Sequence, residues 1–196
     1  MRLHPGVSGL QVDQGQGRTD TRGQFVLPVD APGLDLELLF EQAQAAEDRG
    51  DLELAEQLYR QLMKCDPRDP SPAYNLGNLL RADGRKVEAE AAFRVATKAG
   101  PGLREAWYNL SDVLDEQGRS QEAVACLKRA LEIAPGYADA LFNLALLLQR
   151  SSAYAEAVQY WRQYLISDRS SEWASRAKRC LKFCEIQSAA ESAKQR

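Results

Sequence analysis

Gly50, Gly84, Gly118 and Ser152 stand 34 residues apart, and columns of small, aromatic and proline residues keep the same step. A fixed period in this range comes from supersecondary units stacked one on another, so it confines the chain to a repeat architecture before any local motif is read. With units starting at Leu36, Pro70, Arg104 and Ala138, the twentieth position holds Ala55, Ala89, Ala123 and Ala157. The twenty-fourth holds Tyr59, Phe93, Leu127 and Trp161, and the thirty-second holds Pro67, Pro101, Pro135 and then Arg169. In the first half of each unit the fourth position reads Leu39, Ala73, Trp107 and Leu141, and the eleventh reads Ala46, Leu80, Leu114 and Leu148.

Each column has a physical task. Large and small apolar residues alternate so that two antiparallel helices approach closely, Ala or Gly making the room that Tyr, Phe or Trp fills. Glycine at mid-unit closes the first helix in a left-handed conformation. Proline after the second helix ends it, because its ring nitrogen has no proton to donate. An ordinary bundle of amphipathic helices gives no reason for several columns to share one step.

The columns closely resemble the tetratricopeptide repeat (TPR) pattern. The resemblance implies an all-α fold, a right-handed α-solenoid of four helix hairpins at residues 36–69, 70–103, 104–137 and 138–171. A capping helix is expected over 172–188 and a disordered tail over 189–196. In the cap, Trp173, Ala177, Cys180, Leu181 and Cys184 share one face, with Trp173 expected beside Trp161. Arg176, Lys178, Arg179 and Lys182 read as its solvated side, with docking of an acidic partner or nucleic acid as the alternative.

Residues 1–34 are punctuated by glycines and carry short β-type pieces at Leu10–Val12 and Phe25–Val29. They are expected to be flexible or to form a short hairpin, which is marginal in isolation, or to be the edge of an upstream domain. The chain holds 44% apolar and 8% aromatic residues, as suits an alanine-rich helical protein. No apolar run reaches membrane-spanning length and no secretion signal is visible, so the expected location is cytoplasmic. The four cysteines form no CxxC pair and the single histidine is His4, so no metal site or cofactor is expected and the cysteines read as small apolar residues.

In TPR proteins the first helices line a concave groove, which the resemblance carries onto this chain. Position five then gives an aromatic in every unit, Phe40, Tyr74, Tyr108 and Phe142, and position six gives Glu41 followed by Asn75, Asn109 and Asn143. An amide offers donors and an acceptor in the pattern of a peptide backbone, so an asparagine column suits an extended peptide of any side-chain sequence. The column is similar to the asparagine ladder in the TPR superhelix of O-linked N-acetylglucosamine transferase. The other reading is that each Asn bonds a neighbouring helix and stabilises the stack. The candidate peptide-binding set is Asn75, Asn109, Asn143, Tyr74, Tyr108, Phe142, Asn78, Arg81 and Asp112. Three amides at a net 0.5 to 1.5 kcal/mol each supply roughly 1.5 to 4.5 kcal/mol before ordering costs, which points to micromolar binding.

Charge narrows the partner. Residues 36–171 hold 16 Lys and Arg against 21 Asp and Glu, a net of −5, and the groove positions are mostly acidic, so a neutral-to-basic segment is favoured. The Lys and Arg positions of the chaperone-tail clamp carry aromatic or acidic residues here, which argues against that ligand. No catalytic constellation or phosphate loop is present, and a net charge of −3 without a basic stripe argues against nucleic acid. The sequence thus reads as a non-catalytic interaction scaffold or adaptor, monomeric or weakly self-associating. The alternative is a regulatory or assembly module, either self-associating or akin to the TPR tails of bacterial MerR-type regulators, which Trp107 through Cys184 resembles, although no helix-turn-helix is visible.

Overall fold

The computed structural model describes residues 35–194 and two strand pieces ahead of them, β1 (Arg18–Thr19) and β2 (Phe25–Val26), paired antiparallel with Arg18 opposite Val26. The expected piece at Leu10–Val12, the flexibility expected of 1–34 and the last two residues lie outside the described residues. Nine helices follow among the described residues: α1 (Leu36–Asp48), α2 (Leu52–Cys65), α3 (Ser71–Ala82), α4 (Lys86–Ala99), α5 (Arg104–Glu116), α6 (Ser120–Ile133), α7 (Ala138–Arg150), α8 (Tyr154–Ser167) and α9 (Glu172–Lys194). α1 pairs with α2, α3 with α4, α5 with α6 and α7 with α8, and each second helix also packs on the next first helix. The result is an all-α solenoid closed by α9.

Local chemistry sets these boundaries. Asp35 caps α1 by accepting from the backbone N–H groups of Glu37 and Leu38 at 3.0 and 3.1 Å, and Asp51 caps α2 through Leu54 at 3.2 Å. The hairpin bends use left-handed residues: φ is +76° at Gly50, +78° at Gly84 and Gly118, and +63° at Ser152, where a side chain tolerates the same turn. Pro67, Pro101 and Pro135 each stand two residues past the last residue of α2, α4 and α6.

Packing joins the column of small residues to the column of large ones. Tyr59, Phe93, Leu127 and Trp161 are 0% exposed. At about 1.5–3 kcal/mol for burying a side chain of this size, they are a main source of stability within each hairpin. A Cβ on Gly77 would stand 2.5 Å from the Phe93 ring, so that hairpin closes only because glycine has none.

The last helix differs from expectation in two ways. It runs to Lys194, six residues past 188, because Ser188–Lys194 holds no glycine or proline to end it and is rich in alanine. Trp173, expected on the buried face, is 56% exposed and meets Phe142 at a centroid distance of 5.3 Å, while Ala174, Ala177 and Cys184 bury themselves in the interface with α8. Ser175, Arg179 and Lys182 stand where earlier units carry Leu141, Ala145 and Leu148, and all three are exposed. That outer side is polar, so the stack ends there.

Ion pairs also join the repeats. Arg85, at the N-cap of α4, bonds Glu56 across the first junction and Glu88 in the first turn of α4 at 2.5 and 2.6 Å, and Arg60 bonds both carboxylates at 2.8 and 3.4 Å. One unit later Arg119 bonds Glu90 and Glu122 at 2.7 and 2.6 Å, with Arg94 on the same two at 2.9 and 3.0 Å.

Candidate functional site

The candidate residues lie on the first helix of each hairpin, and the stacking brings them into contact across repeat boundaries. Asn109 donates to Asn78 Oδ1 at 2.7 Å and to the Tyr74 hydroxyl at 3.4 Å. Asn143 donates to the Tyr108 hydroxyl at 3.0 Å and to Asp112 Oδ1 at 3.2 Å. Asn75 differs: it makes no such bond to α1 among the described residues, and the Tyr59 hydroxyl near it donates to Glu47 at 2.9 Å. The amide nitrogens of Asn109 and Asn143 are therefore engaged inside the stack, as the second sequence reading supposed. Their amide carbonyls have no donor among the described residues.

This engagement has a signature in the sequence that column reading alone overlooks. Tyr at position five is followed one unit later by Asn at position six, as Tyr74 is by Asn109 and Tyr108 by Asn143. Where the fourth unit has Phe142, the corresponding place in α9 is Ala177, and the ninth position changes from Asn78 and Asp112 to Leu146. Hydroxyl, amide and amide acceptor disappear together.

Electrostatics concentrate on α5. Asp112 lies 3.3 Å from Arg81, and burial raises its carboxyl to about 6 against the pull of Arg81 and Asn143. Burial, with Asp112 and Asp139 nearby, pushes the Tyr108 phenol up to about 12. Arg150 pairs with Asp115 at 2.5 Å and Lys86 with Glu116 at 2.7 Å, so the few cations on this face are neutralised locally.

The aromatic row is open in its middle and covered at its end. Tyr74 and Tyr108 are half-buried, with rings 6.2 Å from Phe93 and 5.3 Å from Tyr137. Tyr137 was missed by the sequence reading because it lies just before its helix, outside the groove register. Phe142 is only 8% exposed, since Trp173 and the Arg176 guanidinium, 5.6 Å from its ring, cover it from α9. Among the described residues no three His, Cys, Asp or Glu side chains form a metal cage, and no helix is long and apolar enough to cross a membrane. All four cysteines are thiols.

A family model described as a tetratricopeptide repeat matches residues 30–71, 40–104, 74–138 and 108–172. No curated protein matches the chain. Among solved structures, MamA superposes with a TM-score of 0.69 at 19% identity, over 81% of this chain and 86% of that one. YrrB, described as a TPR protein with an unusual peptide-binding site, superposes at 0.68 with 21% identity, over 79% of this chain and 78% of that one. A tetratricopeptide repeat protein from Parabacteroides merdae gives 0.70 at 24% identity, over 78% of this chain and 61% of that one. At these identities the likeness is one of fold.

Proposed function

The chain belongs to the tetratricopeptide repeat family, and from that premise we propose that it is a non-catalytic interaction scaffold holding an extended, neutral-to-basic segment of another protein across α1, α3, α5 and α7. The observation that carries this reading is the Tyr–Asn pairing. Tyr74 and Tyr108 are held by Asn109 and Asn143 across repeat boundaries, so their rings meet a ligand already ordered. Asn109 and Asn143 contribute to a ligand as acceptors: a peptide N–H donates to the carbonyl while the amide nitrogen stays in the stack. Asn75, Asn78, Arg81 and Asp112 position this row, and Phe142 forms its floor beneath α9.

The surrounding carboxylates favour a positively charged visitor. Glu105 and Asp139 flank Tyr108 and Tyr137, and their field raises the Tyr137 phenol, after burial, to about 12. The YrrB peptide-binding site is a precedent for this use of the fold. The polar outer side of α9 disfavours end-to-end stacking, so the protein is expected to stay monomeric in sedimentation at several concentrations.

The test is affinity capture from the native cell, comparing the wild-type chain with Glu105→Lys/Asp139→Lys. Both positions are peripheral to the packed interior, so the thermal midpoint should hold while partner recovery drops. Equal recovery by the two proteins at equal stability rules the groove out.

A further inference from the structure

The acidic face ends abruptly at α9. Arg176 occupies the place that Phe40, Tyr74, Tyr108 and Phe142 hold in the repeats, and its guanidinium lies 5.6 Å from the Phe142 ring and 5.7 Å from the Trp173 ring. The two rings stand at 89° to each other, so the guanidinium can lie flat on only one of them; contact with rings takes up no hydrogen-bond acceptor, and its N–H groups stay free for a carboxylate. No carboxylate takes them among the described residues, whereas Arg81 and Arg150 on the neighbouring face are paired with Asp112 and Asp115. Arg179 lines the same cleft one turn on, also without an acidic partner among the described residues; Glu172, in the first turn, also lines the cleft but pairs with neither guanidinium, and Lys182 continues the basic ridge along the exposed side of α9. Trp173 forms one wall and is 56% exposed, although an indole has much to gain from burial.

We propose that Trp173, Arg176 and Arg179 form a subsite for Asp or Glu side chains, so that the segment bound across the repeats is charge-ordered, neutral or basic over α3 to α7 and acidic over α9. This rests on the groove reading and adds the chemistry of one end of the ligand. Side-chain carboxylates suit the site better than a chain terminus because the basic ridge does not stop at the cleft: Lys182 lies beyond it, and a segment can continue across α9. Two guanidiniums one turn apart offer separate forks, and each matches one carboxylate.

The test uses the full chain at low salt and follows the indole N–H resonances, with Trp173 identified through Trp173→Phe. Titration with the blocked tripeptide acetyl-Glu-Glu-Glu-amide should move the Trp173 signal saturably. Acetyl-Lys-Lys-Lys-amide should leave that signal in place. The variant Arg176→Gln/Arg179→Gln should lose the saturable shift with its thermal midpoint retained, and Lys178→Gln, whose Nζ is bound to the Arg169 carbonyl at 2.8 Å, should keep it. If Arg176→Gln weakens the cover over Phe142, Arg179→Gln alone should still reduce the apparent affinity several-fold. No saturable shift, or one unchanged in the double variant, overturns the subsite and leaves the groove reading standing. An equal response to acetyl-Ser-Ser-Ser with a free terminal carboxylate, or a stronger one to a short oligonucleotide, overturns the assignment to acidic side chains.

Discussion

The junction between the second and third hairpins and the one between the third and fourth solve the same packing problem with different chemistry. At the former, Arg119, Glu90, Arg94 and Glu122 form a closed clip of four alternating charges. At the latter the places of Arg119 and Glu90 are taken by Ala153 and Val124, both packed against the core, and only Lys128 and Glu156 remain, paired at 2.6 Å. Two charges that face each other have been exchanged together for two apolar groups, while the outer pair persists. The lesson is one of coupled positions: either complete set is stable, whereas losing Arg119 alone leaves two carboxylates, one of them largely buried, sharing a single guanidinium.

The comparison should break first where the two junctions are alike. Leu110 and Leu144, both at most 1% exposed, hold the same place on α5 and α7. Leu110→Ala and Leu144→Ala should each lower stability by about 2–5 kcal/mol in urea titration. A large inequality between them would mean that the clip and its apolar replacement contribute differently to the apolar packing beneath. Next in size, Arg119→Ala should lower the urea midpoint clearly, because Glu90 and Glu122 are then left to share Arg94 alone. Glu90→Val/Arg119→Ala, which copies the third-to-fourth junction, should recover most of the loss, and Lys128→Ala should change little. If the double variant is no better than Arg119→Ala, the coupling is wrong.

The amide contacts follow in size. Asn109→Ala should cost about 1–2 kcal/mol by removing a nearly buried amide that holds Tyr74 and Asn78. Phe142→Tyr should give no gain, because Ala177 offers its hydroxyl no amide. Smallest of all is the response to pH, where the two kinds of carboxylate act with opposite sign. Arg85 holds Glu56 and Glu88 below their ordinary value, Arg119 does the same for Glu122, and for Glu90 burial is outweighed by Arg119 and Arg94. Their contribution is complete above the unfolded value of 4.5 and is lost as pH falls through the lower folded values. Asp112, raised from 3.8 to about 6, contributes stability that is complete below the former and lost as pH rises through the latter. The urea midpoint should therefore rise slightly from pH 7 to pH 5 and fall below 4.5. Asp112→Asn should remove the rise, and Glu90→Val/Arg119→Ala should shrink the fall.

The repeat architecture was legible because it rests on single columns. A glycine at a left-handed bend or a proline after a helix carries its reason in its own chemistry, and the aromatic column needed only its period. What escaped notice depends on pairs in different units. The clip is invisible to a composition of the helices, since Glu90 and Arg119 look like ordinary surface charges until the stack sets them 2.7 Å apart. The Asn column was visible, but its engagement with Tyr74 and Tyr108 needed the geometry that places position six against positions five and nine of the preceding unit. Trp173 misled because the apolar spacing of α9 gives it a share in the buried face, whereas the first turn of that helix stands over Phe142. The extension to Lys194 shows that the chain's own helix propensity outlasts its packing.

The charges between hairpins also act as an address. Residues 70–103 alone carry both halves of the clip, Arg85 and Glu88 toward the preceding hairpin and Glu90 and Arg94 toward the following one. Residues 104–137 meet the full charged clip on one side and, on the other, apolar groups in place of its inner pair. A tandem copy of 70–103 should therefore slot in beside the original and lengthen the protein by one module, whereas exchanging the third and fourth hairpins should scramble the assembly. The order of the modules is written on their flanks.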